Sequence, residues 1–509
     1  MARSTVRDTL LVPYRIATSS VVGVIVLAVV GAFLGPQWDP VPLNDPLVVS
    51  SSSTAVTYAP LAPTYPVRES VVTVQLDGTT IDARITEPVG ASGPLPAVVF
   101  VHGAGTGEYS RAFKAQASAL AASGVVTMVP NKRLDTYSAR HRDYVQMAAD
   151  YAASVQFLRH WPGVAPTKVG VYSESEGSWI APVMAADDPG LAFVVFASAP
   201  VVPPRQQAAF AMDSYLRNTG VPNSVFRAIP RAVGMSLPGG GFEYFDFDVA
   251  PYQRRMHQPV FVAYGAHDAS MPMVQGAEQI IRDLAIAGNG QYQVRYYAGA
   301  DHGLKVDGEV SPDFLRDLSG WIRGLPETAQ SMPQIAGASP HQTYWAAPSP
   351  MPRWFGDGDA VIAVVGAAAA LLVLGPLVGL GVAAWRRVRG RPVQHRLAPG
   401  VVGRLGWVGG LAVATVVGLV WYLVAVVRLA LDYERNSVIV QGGWVGVRIL
   451  GIAAVVACVR LLDLARNSHQ DGPGIATGVW GHVVVWSVLA GAVILLVVTA
   501  YWGVFQLGI

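Results

Sequence analysis

Ser175 lies in the stretch Ser173-Glu174-Ser175-Glu176-Gly177, between an apolar run containing the β-branched Val169 and Val171 and a segment of helical composition. A serine on a tight strand-to-helix turn holds its hydroxyl clear of the backbone. The residues two before and two after it must be small, because strand and helix approach closely there. A serine hydroxyl is a weak nucleophile until a base takes its proton. The chain must therefore also supply that base, a carboxylate to orient it and N–H donors for the oxyanion. Asp268, in Gly265-Ala266-His267-Asp268, follows an apolar run at 259–264, and His302, in Ala300-Asp301-His302-Gly303, follows another at 293–297. Ser175, Asp268 and His302 are thus the candidate nucleophile, orienting acid and general base of an acyl-transfer reaction. His257 and His267 are read as structural. Glu174 and Glu176 flank the nucleophile, but neighbours in a turn point different ways. Packing and backbone roles are expected of them, with Glu176 able to bias the site against anionic groups or toward a cationic one.

The elements that position these residues span 67–325. Residues 71–76 and 81–86 alternate apolar and polar about Asp77-Gly78 and read as a hairpin. Residues 96–101 form a short continuous apolar run, as in a buried strand, and end in His102-Gly103-Ala104-Gly105. Helices are expected at 112–122 and 144–159, and strands at 124–129, 191–197, 260–264 and 293–297. Strands alternating with helices predict an α/β domain with a mainly parallel sheet covered on both faces. An irregular Pro/Gly-rich insertion at about 200–258, ahead of a late strand, is read as a cap over the site.

The rest of the chain is of another kind. Of 509 residues, 52% are hydrophobic and only 14% charged, too apolar for an ordinary globular protein, where about a quarter are charged. An apolar run at 16–34 follows Arg3, Arg7 and Arg15 and reads as an N-terminal transmembrane signal anchor within 1–35. A cleavable signal peptide is the rival, since Gly31 and Ala32 end the run. Apolar runs at 360–385, 407–427, 444–462 and 482–505 predict a four-helix transmembrane region over 360–509, with Trp385, Trp407, Trp444, Trp480 and Trp502 at or near their ends. Residues 36–66 and 326–359 are rich in Pro and Ser or Ala and read as linkers. Residues 386–396 carry five arginines and no acid, so this loop and the N-terminus are expected in the cytoplasm. The 67–325 domain is then extracytoplasmic, on a multi-pass protein of the cell membrane, and Ile509 ends outside. Arg448, near a span end, is expected to snorkel.

A net charge of +2 gives no electrostatic case for nucleic acid. The single cysteine, Cys458, excludes an intrachain disulfide. No glycosylation sequon, metal-binding Cys/His cluster or phosphate-binding glycine loop occurs, so neither metal nor cofactor is expected.

Taken together, HGAG at 102–105, SESEGSWIAP at 173–182, AYGAHD at 263–268 and ADHGL at 300–304 resemble the α/β-hydrolase superfamily. They are most similar to its serine esterase and acylhydrolase branch, the relatives of dienelactone hydrolase and of the prolyl oligopeptidase catalytic domain. The chain order Ser, Asp, His is that of the superfamily. The resemblance implies an oxyanion hole from the backbone N–H groups of Ala104 and Glu176, and a small-molecule or lipid-like acyl substrate. The chain departs from relatives in three places: Ser173 and Ser178 stand where glycines are common, and Asn131-Lys132-Arg133-Leu134 replaces Asp-Arg-Gly. The expected activity is hydrolysis of an ester or related acyl bond. A peptidase and a catalytically silent sensor or scaffold are the alternatives.

Overall fold

The computed structural model describes residues 2–45, 47–353, 355–392, 397–431, 434–471 and 474–506. Arg396 and Ile509, which enter the topology reading, lie outside the described residues. The chain forms two compact units, one of Pro40–Ala211 and Phe242–Pro348, the other of Met1–Asp39, Met212–Gly241 and Ser349–Ile509.

The N-terminal helix is α1 (Ala2–Leu34). There follow β1 (Val67–Leu76), β2 (Thr79–Pro88), β3 (Leu95–Val101), α2 (Lys114–Ala122), β4 (Val126–Pro130), α3 (Tyr144–Arg159), β5 (Val164–Glu174), α4 (Gly177–Asp187) and β6 (Val194–Ala197). The insertion carries α5 (Pro204–Asn218), α6 (Ala228–Val233) and α7 (Ala250–Gln253). After it come β7 (Val260–Gly265), α8 (Met273–Ile286), β8 (Tyr292–Tyr297), the short pair β9 (Lys305–Val306) and β10 (Glu309–Val310), α9 (Pro312–Arg323) and β11 (Ile335–Gly337).

Nine strands form one sheet in the order β1-β2-β4-β3-β5-β6-β7-β8-β11. The β1–β2 and β2–β4 pairs are antiparallel, and every pair from β4 onward to β11 is parallel. This is the α/β class expected, and the reason is visible along β3. Ala97, Val99 and Val101 enter the core against α3, α4 and α8, while Val98 and Phe100 enter the opposite core against α2 and α9. A strand buried on both faces has no polar side to alternate with, hence its continuous apolar sequence. Helix α3 starts at the expected residue because the Asp143 carboxylate accepts the N–H groups of Val145 and Gln146.

Most of both segments read as linkers, residues 40–66 and 326–348, is built into this unit. Strand β11, from the second of them, adds to the sheet beside β8. The first lies on its far side, where the Gly337 N–H donates to the Ser51 carbonyl, the buried Arg295 donates to the Thr54 carbonyl, and Val56 is buried. The 200–258 insertion divides. Its Phe242–Phe247 part packs on α3, with Tyr244 and Phe247 edge-on to Tyr144. Its Met212–Gly241 part belongs to the helical unit instead.

Among the described residues, that unit contains five helices long and apolar enough to cross a membrane, at Pro13–Leu34, Gly358–Val388, Val401–Ala430, Val438–Ser468 and Gly478–Tyr501. They correspond to α1, α10 (Gly358–Val388), α11 (Val401–Leu431), α12 (Gly443–Asp471, preceded by a π-helical turn) and α13 (Gly478–Tyr501). Small residues set the helix spacing. A Cβ on Gly31 would come within 2.1 Å of the Ala500 carbonyl oxygen, so α1 lies directly on α13. Arg15 pairs with Asp463 of α12 at 2.9 Å. The buried Arg231 donates to the carbonyls of Gly31 at 3.1 Å and Pro36 at 3.3 Å, and its guanidinium faces the Tyr501 ring. It thereby holds one carbonyl in the last turn of α1 and one just beyond the helix, where partners within the helix run out. Arg448, expected to snorkel, donates to the Gln506 carbonyl at 2.8 Å.

This packing makes α1 a structural member of the bundle. Cleavage at Gly31–Ala32 would remove Arg231's partner carbonyl and strip the α1-facing surfaces of α12 and α13. An N-terminal epitope tag is therefore expected to stay on the membrane-extracted chain. Its quantitative loss during maturation would identify a cleaved signal peptide.

Candidate active site

Ser175, Asp268 and His302 follow the carboxyl ends of β5, β7 and β8, on the edge where parallel strands of such sheets place ligand sites. Ser175 has φ +52°, a left-handed conformation that costs a non-glycine residue about 1 kcal/mol or more and needs external support. Support comes from its N–H, which donates to the Ala197 carbonyl at 3.0 Å. Gly177 is required: a Cβ there would lie 2.6 Å from the Val101 carbonyl oxygen. The departures from glycine at 173 and 178 accommodate each other. Both serines are buried, their hydroxyl oxygens are 3.3 Å apart, and Ser173 Oγ donates to the Val195 carbonyl at 2.9 Å.

His302 Nδ1 is 2.9 Å from Asp268 Oδ2. A carboxylate only accepts, so Nδ1 carries the proton and Nε2 is left as the basic nitrogen. The other oxygen, Asp268 Oδ1, accepts from the Ser270 N–H at 2.9 Å, the Ser270 hydroxyl at 2.8 Å and the Met271 N–H at 3.2 Å. The Ser198 hydroxyl donates to the His302 carbonyl at 2.7 Å. Ser198 itself has φ +50° and follows β6, the strand between those of the serine and the acid. Burial pushes the His302 pKa down. Asp268, by charge and hydrogen bond, more than reverses this, and Glu174 and Asp301 add to the rise, so the net direction is up from 6.5. For Asp268, burial is outweighed by His302 and Ser270, which hold it below the usual carboxylate range.

The flanking glutamates diverge, as expected of neighbours in a turn. Glu174 lies 3.4 Å from the Tyr172 hydroxyl, and burial raises its pKa against the opposing charge of His302. Glu176 points to the opposite side, where it is buried among donors: Lys132 Nζ at 3.0 Å, Arg142 at 2.5 Å, and the hydroxyls of Tyr137 at 3.0 Å and Tyr144 at 3.4 Å. Burial raises both phenols, with Glu176's charge adding, so they stay protonated donors. Two cations enclose this one carboxylate, so Glu176 presents no free negative charge to the site. The expected bias against anionic substrates loses its basis.

The His102–Gly105 loop lies against Ser175: a Cβ on Gly103 would be 3.2 Å from Ser175 Cβ. His102 is fully buried, its Nε2 donating to the Pro130 carbonyl at 2.7 Å while Nδ1 meets Thr106 Oγ1 at 3.2 Å. Burial depresses its pKa to about 4, against the Pro130 carbonyl and helped by Lys132's charge, so it is neutral and structural. Ala104 is exposed, and Glu176 is the N-cap of α4, where backbone N–H groups gather.

Sequence reading missed Ser198, Ser270, Lys132 and Arg142. Serines two residues after an acid or just past a strand are too common to signal a role. Lys132 was visible only as a departure from a family pattern. Among the described residues no group of three or more His, Cys, Asp or Glu is placed to hold a metal ion.

Residues 150–307 match the family model described as BAAT / Acyl-CoA thioester hydrolase C terminal. No curated protein sequence matches the chain. Among solved structures, a Klebsiella pneumoniae protein assigned as a dienelactone hydrolase aligns at 19% identity, covering 52% of this chain and 99% of its own, with a TM-score of 0.36. Dienelactone hydrolase from Anabaena variabilis aligns at 18% identity over 50% of this chain and 96% of its own, with a TM-score of 0.35. A cold-adapted esterase from an Arctic intertidal metagenomic library aligns at 16% identity over 50% and 93%, with a TM-score of 0.33. The mainly parallel sheet, the turn after β5 and the match over residues 150–307 give the first unit the α/β-hydrolase fold, on a chain whose described residues include five long apolar helices.

Proposed function

We propose that the chain is a membrane-anchored serine hydrolase that cleaves an ester or related acyl bond. The observation that carries this reading is the pair of His302 and the buried Asp268 at 2.9 Å, presented on the same sheet edge as the strained Ser175. In this reading His302 Nε2 takes the Ser175 proton as Oγ attacks the acyl carbon. The oxyanion formed meets the N–H groups of Ala104 and Glu176. His302 then gives the proton to the leaving group, and Ser175 keeps the acyl chain as an ester. Water, deprotonated by the same imidazole, releases the acid and restores the serine.

Asp268 fixes the tautomer and stabilises the transient imidazolium. Ser270 and Ser198 hold acid and base in place. The pairing of Ser173 with Ser178 gives the two departures from glycine a packing role, which supports an active site over a catalytically silent one. The matched family's description names acyl-CoA thioesters, so thioesters join oxygen esters as substrate candidates.

Purified full-length chain in detergent is expected to hydrolyse p-nitrophenyl esters or acyl thioesters in preference to peptide amides, with loss on His302→Ala. Faster cleavage of peptide amides would make it a peptidase. No turnover of any of the three would overturn the hydrolase reading.

The same proposal places the hydrolase domain outside the cytoplasm, from the arginine bias described above. In a Cys458→Ser background, an impermeant maleimide on intact cells should reach Ser52→Cys and miss Arg391→Cys, both exposed positions. At Gly390 the φ of +63° would strain a cysteine. The reverse labelling pattern would put the domain in the cytoplasm.

A further inference from the structure

We propose that Lys132 is a positioning residue for the oxyanion hole, holding both of its backbone donors from one buried ammonium; this rests on the serine-hydrolase reading above. The Lys132 side chain is 1% exposed. Its Nζ donates to the Gly103 carbonyl at 2.6 Å and to Glu176 Oε2 at 3.0 Å.

Gly103 C=O belongs to the same peptide unit as Ala104 N–H. In a trans peptide the carbonyl and N–H point in opposite directions. An ammonium clamped on the carbonyl therefore fixes where the Ala104 N–H points, and by polarising the peptide it makes that N–H a stronger donor. The second acceptor is the side chain of Glu176, whose own N–H is the other proposed donor. One cation thus ties the two segments whose separation sets the width of the oxyanion hole.

The surroundings are built to keep this clamp rigid. The Lys132 N–H donates to the Gly107 carbonyl at 2.8 Å, Asn131 Oδ1 accepts the Tyr109 N–H at 2.9 Å, and His102 bonds the Pro130 carbonyl. Residues 130–132 are thereby stitched along the whole 102–109 loop. The Lys132 ammonium lies 4.5 Å from the Tyr137 ring centroid, and Arg142 takes the second Glu176 oxygen. Arg142's charge also keeps the Glu176 carboxylate from opposing the developing oxyanion. Without a cation beside it, a carboxylate one residue from the nucleophile would raise the barrier it is meant to lower. This gives a use to the chain's departure from Asp-Arg-Gly after β4.

The test uses full-length protein, p-nitrophenyl ester turnover and active sites counted by fluorophosphonate. Lys132→Met is expected to lower kcat per titrated site by roughly 10²-fold, the scale of one lost oxyanion donor, with KM within about threefold. A role confined to neutralising buried Glu176 makes a different forecast. Adding Glu176→Gln to Lys132→Met would then restore kcat. In the positioning role the double variant regains thermal stability but not kcat, because the Gly103 carbonyl stays unheld. The double variant also carries the test if Lys132→Met alone fails to fold. Wild-type kcat in Lys132→Met, or its return in the double variant, overturns the inference and leaves the hydrolase reading standing. Absence of wild-type turnover overturns both.

Discussion

Ser175→Ala is expected to abolish fluorophosphonate labelling of the full-length chain and to lower acyl-ester turnover by at least about 10⁴-fold, since losing a triad nucleophile leaves only binding and oxyanion stabilisation. The structural grounds are local. Ser175 is held at φ +52° with its N–H on the Ala197 carbonyl, and Gly177 admits no side chain beside Val101. Alanine fits the same turn, so the variant should fold, and melting temperature should move by little. The elbow contains other serines, which makes labelling a discriminating measurement. Ser173 and Ser178 are buried and hydrogen-bonded to each other, and neither should react. Labelling of Ser175→Ala at the wild-type rate would assign the nucleophile elsewhere.

Asp268→Asn should cost roughly 10⁴-fold in kcat, because the amide enforces the wrong imidazole tautomer. Asp268 Oδ1 already takes three donors, from Ser270 and Met271. The amide oxygen of asparagine must stay there, which turns its NH₂ toward His302 Nδ1. That nitrogen then accepts, the proton moves to Nε2, and no base faces the serine. The pH dependence gives a second readout. As the proposed general base His302 must be neutral, and its pKa is raised above 6.5, so kcat/KM should be lost as pH falls through a value above 6.5. Removing the Asp268 charge should move that acid limb downward.

Stability runs the other way on the histidine. A raised pKa means the fold favours the imidazolium, a contribution present below 6.5 and lost as pH rises through the raised value. The depressed Asp268 pKa contributes stability above 3.8 that is lost as pH falls through its lower folded value. An unchanged acid limb in Asp268→Asn would remove His302 from the general-base role.

Much of the domain was legible because its elements are locally specified. The hairpin about Asp77-Gly78, the buried strands and α3 with its Asp143 cap each answer to periodicity, turn chemistry or capping within a few residues. The five apolar helices were legible for the same reason, since length and hydropathy are properties of a segment. Segments read as linkers were not legible. Residues 335–337 form a strand only because β8 offers them an unpaired edge, and the 51–56 stretch is ordered by the Gly337 N–H and Arg295, nearly 300 and 240 positions away. Composition carries no trace of a partner so distant. The division of the insertion was hidden likewise, since Met212–Gly241 follows contacts such as Arg231 with Gly31 and Trp444 with Ser224.

For the site, sequence by itself determined the candidates: Ser175, Asp268 and His302 each follow a strand, in one chain order, and strand ends are local facts. Tertiary structure decided what surrounds them. It made Ser173 and Ser178 partners, gave the Asp268 oxygens separate duties, and turned Glu176 away from the reacting atoms onto Lys132 and Arg142. Hydrogen bonds and charge pairs depend on a few ångströms of separation and on burial. Residues 103, 132 and 176 acquire both only when β3, β4 and β5 lie side by side in the sheet.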